Sequence, residues 1–314
     1  MSIFILTLRQ ISMMALMLLM GIYCYKKKYC NIDQSKALSS ILMNVINPLV
    51  LFQSFQTSLT LEMLKSLAGS LLLNALSLAV LISIAPLLLT KNNNPVFNLE
   101  SVAFVYSNSG FIAIPIANAL WGSQGVIYIT PYLTVSNFYF WTHAYMTVSE
   151  KKLNRKNVVA CLTSPIFIGI YAGIFCMITR IKLPSFLNDT ISGFSSMNTP
   201  LAMMIAGMSL AQVDFNKTLK KVRAYYVTFL RLIVAPFLTT ILALPFFYLG
   251  FDPLMLAAHC MTVACPCAAS FVILAIQFQK DDTYCTELFT VSTLFSGLTI
   301  PVVVYLTNIL FFNA

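Results

Sequence analysis

Long apolar runs dominate the pattern of hydrophobic and polar positions along the chain, and short polar stretches separate them. A membrane-spanning α-helix needs about 20 predominantly apolar residues. Continuous runs of this length, without two-residue alternation, predict helices rather than transmembrane strands. The pattern therefore predicts an all-α polytopic membrane protein. Ten spanning helices are predicted, at Thr7–Tyr25, Ala37–Phe55, Leu64–Leu89, Asn98–Trp121, Val126–Val148, Val158–Ile178, Ile191–Ala211, Ala224–Leu249, Pro253–Phe278 and Leu288–Phe312.

The composition agrees with this pattern. Of the 314 residues, 59% are hydrophobic and 9% are charged, whereas soluble domains average about 45–50% and about 25%. So few charges cannot give a globule of this size a polar coat. A soluble enzyme, a disordered protein and a nucleic-acid-binding protein are therefore poor interpretations, and we expect a lipid bilayer as the surroundings and no nucleic-acid partner.

The basic residues indicate orientation, because Lys and Arg concentrate in cytoplasmic loops. One side of the predicted helices receives fourteen of them: Lys26, Lys27, Lys28, Lys36, Lys91, Lys151, Lys152, Arg155, Lys156, Lys217, Lys220, Lys221, Arg223 and Lys280. The other side receives four: Arg9, Lys65, Arg180 and Lys182. The net charge of +9 thus reflects topology rather than an acidic partner. We predict a multi-pass protein of the cytoplasmic membrane with both termini outside.

The two halves of the chain carry matching motifs at an almost constant offset of 151 to 152 residues. The matches are Gly21-Ile22-Tyr23-Cys24 with Gly173-Ile174-Phe175-Cys176, Asn47-Pro48 with Asn198-Thr199-Pro200, and Pro115 with Pro266. Three matches in order predict two five-helix repeats, residues 1–150 and 151–314, in a single integral membrane domain. Because five is odd, the second repeat is predicted to be inverted, an arrangement common in secondary transporters.

Predicted helices 4 and 9 each contain a proline beside small polar residues. Helix 4 has Ser107-Asn108-Ser109-Gly110 ahead of Pro115, and helix 9 has Thr262 and Ser270 on either side of Pro266. Proline breaks or kinks a helix because it lacks an N–H group. Opened backbone at membrane depth is tolerated only within protein or beside a water-filled cavity. The alternatives are a pair of packing kinks and a binding site, and the matched positions favour the binding site.

These residues resemble the auxin efflux carrier family, within the wider bile acid:sodium symporter-like superfamily. The resemblance covers essentially the whole chain. The chain is similar to the compact prokaryotic members of the family. The resemblance is carried by Asn108, Gly110-Phe111, Ala113, Pro115, Gly122-Ser123-Gln124-Gly125, Gly21 before a basic loop, and Asn47-Pro48-Leu49. It implies ten helices, with broken helices 4 and 9 crossing at the midplane, and substrates such as auxin in plants or malate and malonate in bacteria. A homodimer is implied by analogy only. Ala113, where Gly is common, and Cys265-Pro266-Cys267 depart from the family pattern, which bears on substrate specificity.

A broken helix exposes N–H groups and a partial positive charge at its inner N-terminus, and such an end favours an anion. No Asp or Glu lies near either predicted break, which disfavours a cation as the substrate. We therefore predict a secondary transporter that moves a small organic acid, as its carboxylate, by alternating access. The residues predicted to bind it are Asn47, Asn108, Gly110, Pro115, Asn118, Asn198, Pro266 and Ser270. For Asn47 and Asn198 the alternative is interhelical hydrogen bonding.

Three titratable residues within the predicted spans have two interpretations each. Arg231 either attracts anions in a vestibule or snorkels to the membrane interface. His143 and His259 either couple protons or act as hydrogen-bonded packing residues, and packing is the favoured interpretation.

Two rival functions remain open. His259, Cys260, Met261, Cys265 and Cys267 are soft ligands near one break, which suits a carrier of Cu(I) or zinc, although helix 4 offers no matching ligands. An anion channel is the other alternative. No nucleophile–base pair or His-Glu-x-x-His motif supports an enzyme, and we expect no cofactor and no resident metal.

Overall fold

The computed structural model describes residues 3–56, 60–90, 94–152, 155–181, 183–212 and 221–312. Within these ranges the chain forms thirteen helical segments and no strand, which confirms the predicted all-α class. Numbered in chain order, they are α1 (Ile3–Lys26), α2 (Ile32–Ser54), α3 (Leu61–Leu89), α4 (Phe97–Val105), α5 (Ser109–Ser149), α6 (Arg155–Leu162), α7 (Pro165–Thr179), α8 (Ser185–Ser196), α9 (Asn198–Leu210), α10 (Val222–Tyr248), α11 (Pro253–Val263), α12 (Ser270–Gln277) and α13 (Asp282–Phe312).

Five of these segments are long and apolar enough to cross a bilayer: α2, α3, α5, α10 and α13. Shorter apolar helices are α7, α11 and the part of α1 from Ser12 to Lys26. The surface of the described residues is more apolar than that of a soluble protein, and some polar side chains are buried. Large apolar side chains such as Leu87 are exposed, at 78%, whereas Asn47 and Asn74 are buried. This distribution is the one expected of a protein in lipid.

Helix α5 is two segments joined at a glycine. Gly122 has φ 61° and ψ −151°, a conformation that L side chains rarely adopt. The 41 residues of α5 amount to about 60 Å of helix, twice the thickness of a bilayer core of about 30 Å. The separation predicted between Trp121 and Val126 is thereby confirmed.

Three prolines are accommodated by wider turns rather than by breaks. A π-helical turn ends one residue before Asn47-Pro48, before Ile114-Pro115 and before Ala235-Pro236. A proline inside a helix removes one hydrogen bond and its ring collides with the carbonyl four residues earlier. The wider turn gives the ring the room it needs, so each helix continues through its proline.

Glycines allow close contacts between helices of the two halves of the chain. A Cβ atom on Gly21 of α1 would lie 2.1 Å from the carbonyl oxygen of Met204 in α9, and one on Gly207 would lie 2.0 Å from that of Leu18. In the same way Gly173 of α7 packs on Phe55, just after α2. Gly21 and Gly207 contact backbone and Gly173 contacts the Phe55 side chain. These contacts leave little space for a side chain, so α1 packs closely on α9 and α7 on α2.

Replacing Gly207 with alanine is expected to lower the free energy of unfolding by about 1–3 kcal/mol, because the helices must separate to admit the methyl group. The matched control is Gly193→Ala on α8. No atom lies within 4 Å of the place that its methyl group would occupy, and alanine has the better helix propensity, so no loss is expected. Unfolding in mixed micelles titrated with SDS measures both. Equal stability of the two variants would contradict the close contact.

Candidate functional site at the crossing of two broken helices

The two breaks in the helices meet each other. The first lies between the end of α4 at Val105 and the start of α5 at Ser109, and the second between Val263 and Ser270. Ser107 and Cys267 form an antiparallel bridge. Its two hydrogen bonds run from Asn108 N to Pro266 O, at 2.8 Å, and from Ala268 N to Tyr106 O, at 3.0 Å. Each break thus supplies backbone partners for the other, which is how irregular backbone is tolerated inside a membrane protein.

The structure corrects the predicted position of the first break. The sequence predicts that Pro115 opens the helix, but the chain leaves the helix at Tyr106–Asn108 and Pro115 lies inside α5, just after a π-helical turn. The second break does contain its predicted proline, because Pro266 lies between α11 and α12. Pro115 and Pro266 are therefore not equivalent in the two breaks.

Arg231 crosses the space between the two breaks. Its side chain is fully buried and donates to the carbonyl oxygens of Phe104, Val105, Val263 and Cys265. Both interpretations offered from the sequence, an anion-attracting vestibule residue and an anchor at the membrane interface, require contact with solvent or headgroups. Both are therefore wrong.

Two asparagines from different halves of the chain contact each other beside the crossing. Asn198 Nδ2 donates to Asn47 Oδ1 at 2.6 Å, and the two residues are 3% and 1% exposed. Asn47 Nδ2 and Asn198 Oδ1 have no hydrogen-bond partner, and neither does Asn108 Nδ2. A buried polar group without a partner costs about 1–3 kcal/mol. The site therefore holds amide groups that a ligand would satisfy.

Each member of the Asn47–Asn198 pair lines a cavity. Asn47 lines the first cavity, of about 70 Å³, and Asn198 lines the second, of about 340 Å³, while Ile114 lines both. The N-terminal ends of α5 and α12 reach the first cavity through Gly110 and Ser270. None of the residues that line either cavity carries a formal charge.

Seven of the eight predicted binding residues line these cavities. Asn47, Asn108, Gly110 and Ser270 line the first cavity, and Pro115, Asn118 and Asn198 line the second. Pro266, the eighth, supplies the carbonyl oxygen that pairs with Asn108 N.

The family of the chain follows from a comparison with known families. A family model described as membrane transport protein matches residues 7–304, nearly the whole chain. The chain belongs to the membrane transport protein family. This family is auxin efflux carrier-like, which confirms the family resemblance and the predicted role in membrane transport. No curated protein matches the chain.

Sequence reasoning missed a polar stripe in this membrane transport protein. Ser192, Ser195 and Ser196 of α8 line the second cavity. They lie at the i, i+3 and i+4 spacing that places side chains on one helical face. That spacing, within a segment predicted to span the membrane, is the signal that would have revealed them.

The soft-ligand residues are engaged in other contacts. His259 Nδ1 lies 2.6 Å from Asn74 Oδ1, and Cys265 Sγ donates to the carbonyl oxygen of Met261 at 3.6 Å. Within the described ranges no group of three or more His, Cys, Asp or Glu residues is placed to hold a metal ion. The described residues therefore contain no set of ligands that would support a carrier of Cu(I) or zinc.

Proposed function

We propose that this membrane transport protein is a secondary transporter that carries a small organic anion across the cell membrane by alternating access. One observation carries the proposal: the side-chain amides of Asn47 and Asn108 line an uncharged cavity and have buried donors without partners. A carboxylate oxygen is the acceptor that such donors bind well, since hydrogen bonds to a charged group are the stronger ones.

The surroundings of this cavity favour an anion over a cation. The N-terminal ends of α5 and α12 bring a partial positive charge to it, and no carboxylate lines it. Asn47 of this cavity is hydrogen-bonded to Asn198 of the second one. Movement of α2 against α9 would break that hydrogen bond and open a path between the two cavities, as alternating access requires.

We further propose ten membrane crossings built from two inverted five-helix repeats, residues 1–150 and 151–314. A two-fold axis between the repeats would bring equivalent residues on the axis into contact. Asn47 and Asn198, which the sequence offset makes equivalent, are hydrogen-bonded. The antiparallel bridge between Ser107 and Cys267, at a larger offset, fits the same axis. The contact of Gly21 in α1 with α9 and the contact of Gly173 in α7 with Phe55, just after α2, would also be related by this axis.

We also propose that both termini lie outside, which the proposed even number of crossings and the basic loops support. Four of the basic residues behind this orientation lie outside the described residues: Lys91, Lys182, Lys217 and Lys220. Alkaline phosphatase fused after Ala314 is expected to be active, and a green fluorescent protein fused there to be dark. A fluorescent, phosphatase-inactive terminus would contradict the orientation.

Binding measurements test the proposed function. A thermal-shift screen of small mono- and dicarboxylates on the purified protein should find a ligand, and its radiolabelled form should bind saturably. Asn47→Ala is expected to weaken binding about tenfold, because a hydrogen bond to a charged group is lost. The matched control is Asn44→Ala on the same helix, an exposed residue bonded to Ser40, which should leave affinity unchanged. Equal effects of the two variants would contradict the site, and single-channel currents without saturable uptake would favour the channel.

A further inference from the structure

The second cavity has room for a different part of a ligand from the first. Its volume is about 340 Å³, against about 70 Å³ for the first cavity, and sites for small molecules start at about 300 Å³. The second cavity can therefore hold most of a small ligand, whereas the first can hold one group such as a carboxylate. Six of the residues that line the second cavity carry a hydroxyl group: Ser54, Ser123, Ser192, Ser195, Ser196 and Thr199.

Some of the polar groups of the second cavity can only accept a hydrogen bond. Ser54 Oγ donates to Leu51 O, one turn earlier in α2, at 2.7 Å. Ser196 Oγ donates in the same way to Gly193 O of α8, also at 2.7 Å. A hydroxyl group has a single hydrogen, so only the lone pairs of these two remain for a ligand. Asn198 Oδ1 is a third acceptor, buried and without a partner.

The amides that line the first cavity have the opposite requirement. Asn47 Nδ2 and Asn108 Nδ2 are donors without partners. The place of a Cβ atom on Gly110 lies 3.5 Å from Asn47 Nδ2, so this donor is beside the N-terminal end of α5. A carboxylate satisfies such donors because it only accepts, and for the same reason it cannot satisfy Asn198 Oδ1.

One ligand can reach both sets of groups. Asn47 and Asn198 are hydrogen-bonded to each other at 2.6 Å, and Ile114 lines both cavities. A ligand that satisfies Asn47 Nδ2 and Asn198 Oδ1 together must carry a carboxylate and, close to it, a group that donates a hydrogen bond.

The chemistry of the two cavities selects a hydroxyl group as that donor. No residue that lines either cavity carries a formal charge, so an ammonium group or a second carboxylate would lose its water without gaining an opposite charge, which is costly. A hydroxyl group is uncharged. It can donate to Asn198 Oδ1 and accept from Ser195 Oγ, which is also buried and without a partner.

We propose that the anion carried by this protein is a hydroxylated monocarboxylate, of the class that extends from glycerate to the aldonic acids. Its carboxylate binds Asn47 and Asn108 in the first cavity, and its hydroxyl groups bind Asn198 and Ser195 in the second. Asn198 and Ser195 thereby distinguish a hydroxy acid from a plain carboxylate. The proposal rests on the proposed function, because it names the substrate class of the same transporter.

Four compounds of three carbon atoms test the substrate class on the purified protein in glycerol-free buffer. Glycerate has one carboxylate and two hydroxyl groups, propionate has only the carboxylate, glycerol has only hydroxyl groups, and malonate has two carboxylates. Displacement of radiolabelled glycerate at neutral pH is expected to show propionate and malonate each binding about tenfold or more weakly than glycerate, and glycerol not competing. Propionate or malonate binding as tightly as glycerate would overturn the proposal.

Two variants test the residues that read the hydroxyl groups. The measured quantity is the ratio of the affinity for glycerate to that for propionate, since a change at the carboxylate alters both affinities alike. Asn198→Leu is expected to lower this ratio from about tenfold to about one, and Ser195→Ala to lower it severalfold. Ser185→Ala, at an exposed position of the same helix, is the matched control and should keep the ratio. If Asn198→Leu does not fold, Ser195→Ala decides, and a wild-type ratio in that variant contradicts the assignment.

The outcomes separate this proposal from the proposed function. If propionate and glycerate bind equally well and glycerol does not compete, an organic anion is bound without recognition of its hydroxyl groups, and only the hydroxylated substrate class fails. If glycerol competes as well as glycerate does, the carboxylate makes no contribution and the proposed function fails. If an acid without hydroxyl groups binds in the thermal-shift screen and glycerate does not, the substrate class fails and the proposed function stands. If no carboxylate binds at all, both fail.

Discussion

Replacing Asn108 with aspartate is expected to abolish binding of the organic anion. The change is nearly isosteric, but it converts a buried amide donor without a partner into a carboxylate beside the bound carboxylate. Two like charges about 4 Å apart at a protein surface repel by about 4 kcal/mol, which corresponds to about a thousandfold in affinity. Asn108→Ala, which only removes a donor, should cost about tenfold. Equilibrium binding of the radiolabelled carboxylate measures both changes.

Protonation should partly reverse the effect of Asn108→Asp. A protonated carboxyl group is uncharged and donates a hydrogen bond, as the amide does. The ratio of the variant's affinity to the wild type's is therefore expected to rise as the pH falls, and comparison with the wild type at each pH removes the titration of the ligand. Asn44→Asp, on the exposed face of α2, serves as the charge-matched control. A wild-type affinity in Asn108→Asp at neutral pH would contradict an anion in this cavity.

The sequence predicts the all-α class because long apolar runs dominate it, and five described helices are long and apolar enough to cross a bilayer. It also predicts the separation at Gly122, since a glycine between two apolar runs permits a backbone conformation closed to other residues. The internal offset singles out Asn47 and Asn198, and the structure shows them hydrogen-bonded to each other. These are local or periodic signals, which can be read without knowledge of the tertiary structure.

The position of the first break cannot be predicted from the rule that a proline breaks or kinks a helix. The rule points to Pro115, yet a π-helical turn absorbs that proline. The chain opens instead at Tyr106–Asn108, where the Ser107 hydroxyl donates to Tyr132 OH and the Asn108 side chain makes no cap bond. What stabilises the opening is the pairing with Pro266 and Ala268, about 160 residues away. A long-range partner of this kind leaves no local mark in the sequence.

The contacts of Arg231 are a second feature that the sequence does not predict. A charge within a predicted span indicates function or snorkelling, and neither interpretation includes a bond to four carbonyl oxygens. Those oxygens become available only because α4 and α11 end beside each other. The role of the residue is therefore set by the unpaired ends of two other helices, which only the tertiary structure brings together.

The ion pair at the start of α4 should dominate the stability of the first half-helix. Glu100 is fully buried, and Arg223 Nε and Nη2 donate to its two oxygens at 2.8 and 2.7 Å. Tyr284 and Asn94 donate to the same carboxylate at 2.8 Å. Arg223 belongs to α10, the helix that also carries Arg231, so the nine residues of α4 are fixed to one neighbour at both ends.

Arg223→Ala is expected to lower the free energy of unfolding by about 3 kcal/mol, because it leaves Glu100 charged and buried with only neutral donors. The figure is taken at the low end of the range for buried pairs, since the Arg223 side chain is 41% exposed. The double variant E100Q/R223A should be more stable than R223A alone, because a neutral amide can bond to Tyr284 and Asn94 without a buried charge.

The exposed pair of Lys36 and Asp33 provides the contrast in the same experiment. Its atoms are 3.9 Å apart and both side chains are mostly exposed, so Lys36→Ala should leave stability unchanged. SDS titration in mixed micelles, with thermal unfolding as a second measurement, ranks the four proteins. If R223A and E100Q/R223A lose the same stability, the buried charge is not the cause, and packing of the arginine side chain against α3 and α4 must account for the loss. If R223A behaves as K36A does, α4 is held by Arg231 and the backbone bridge alone.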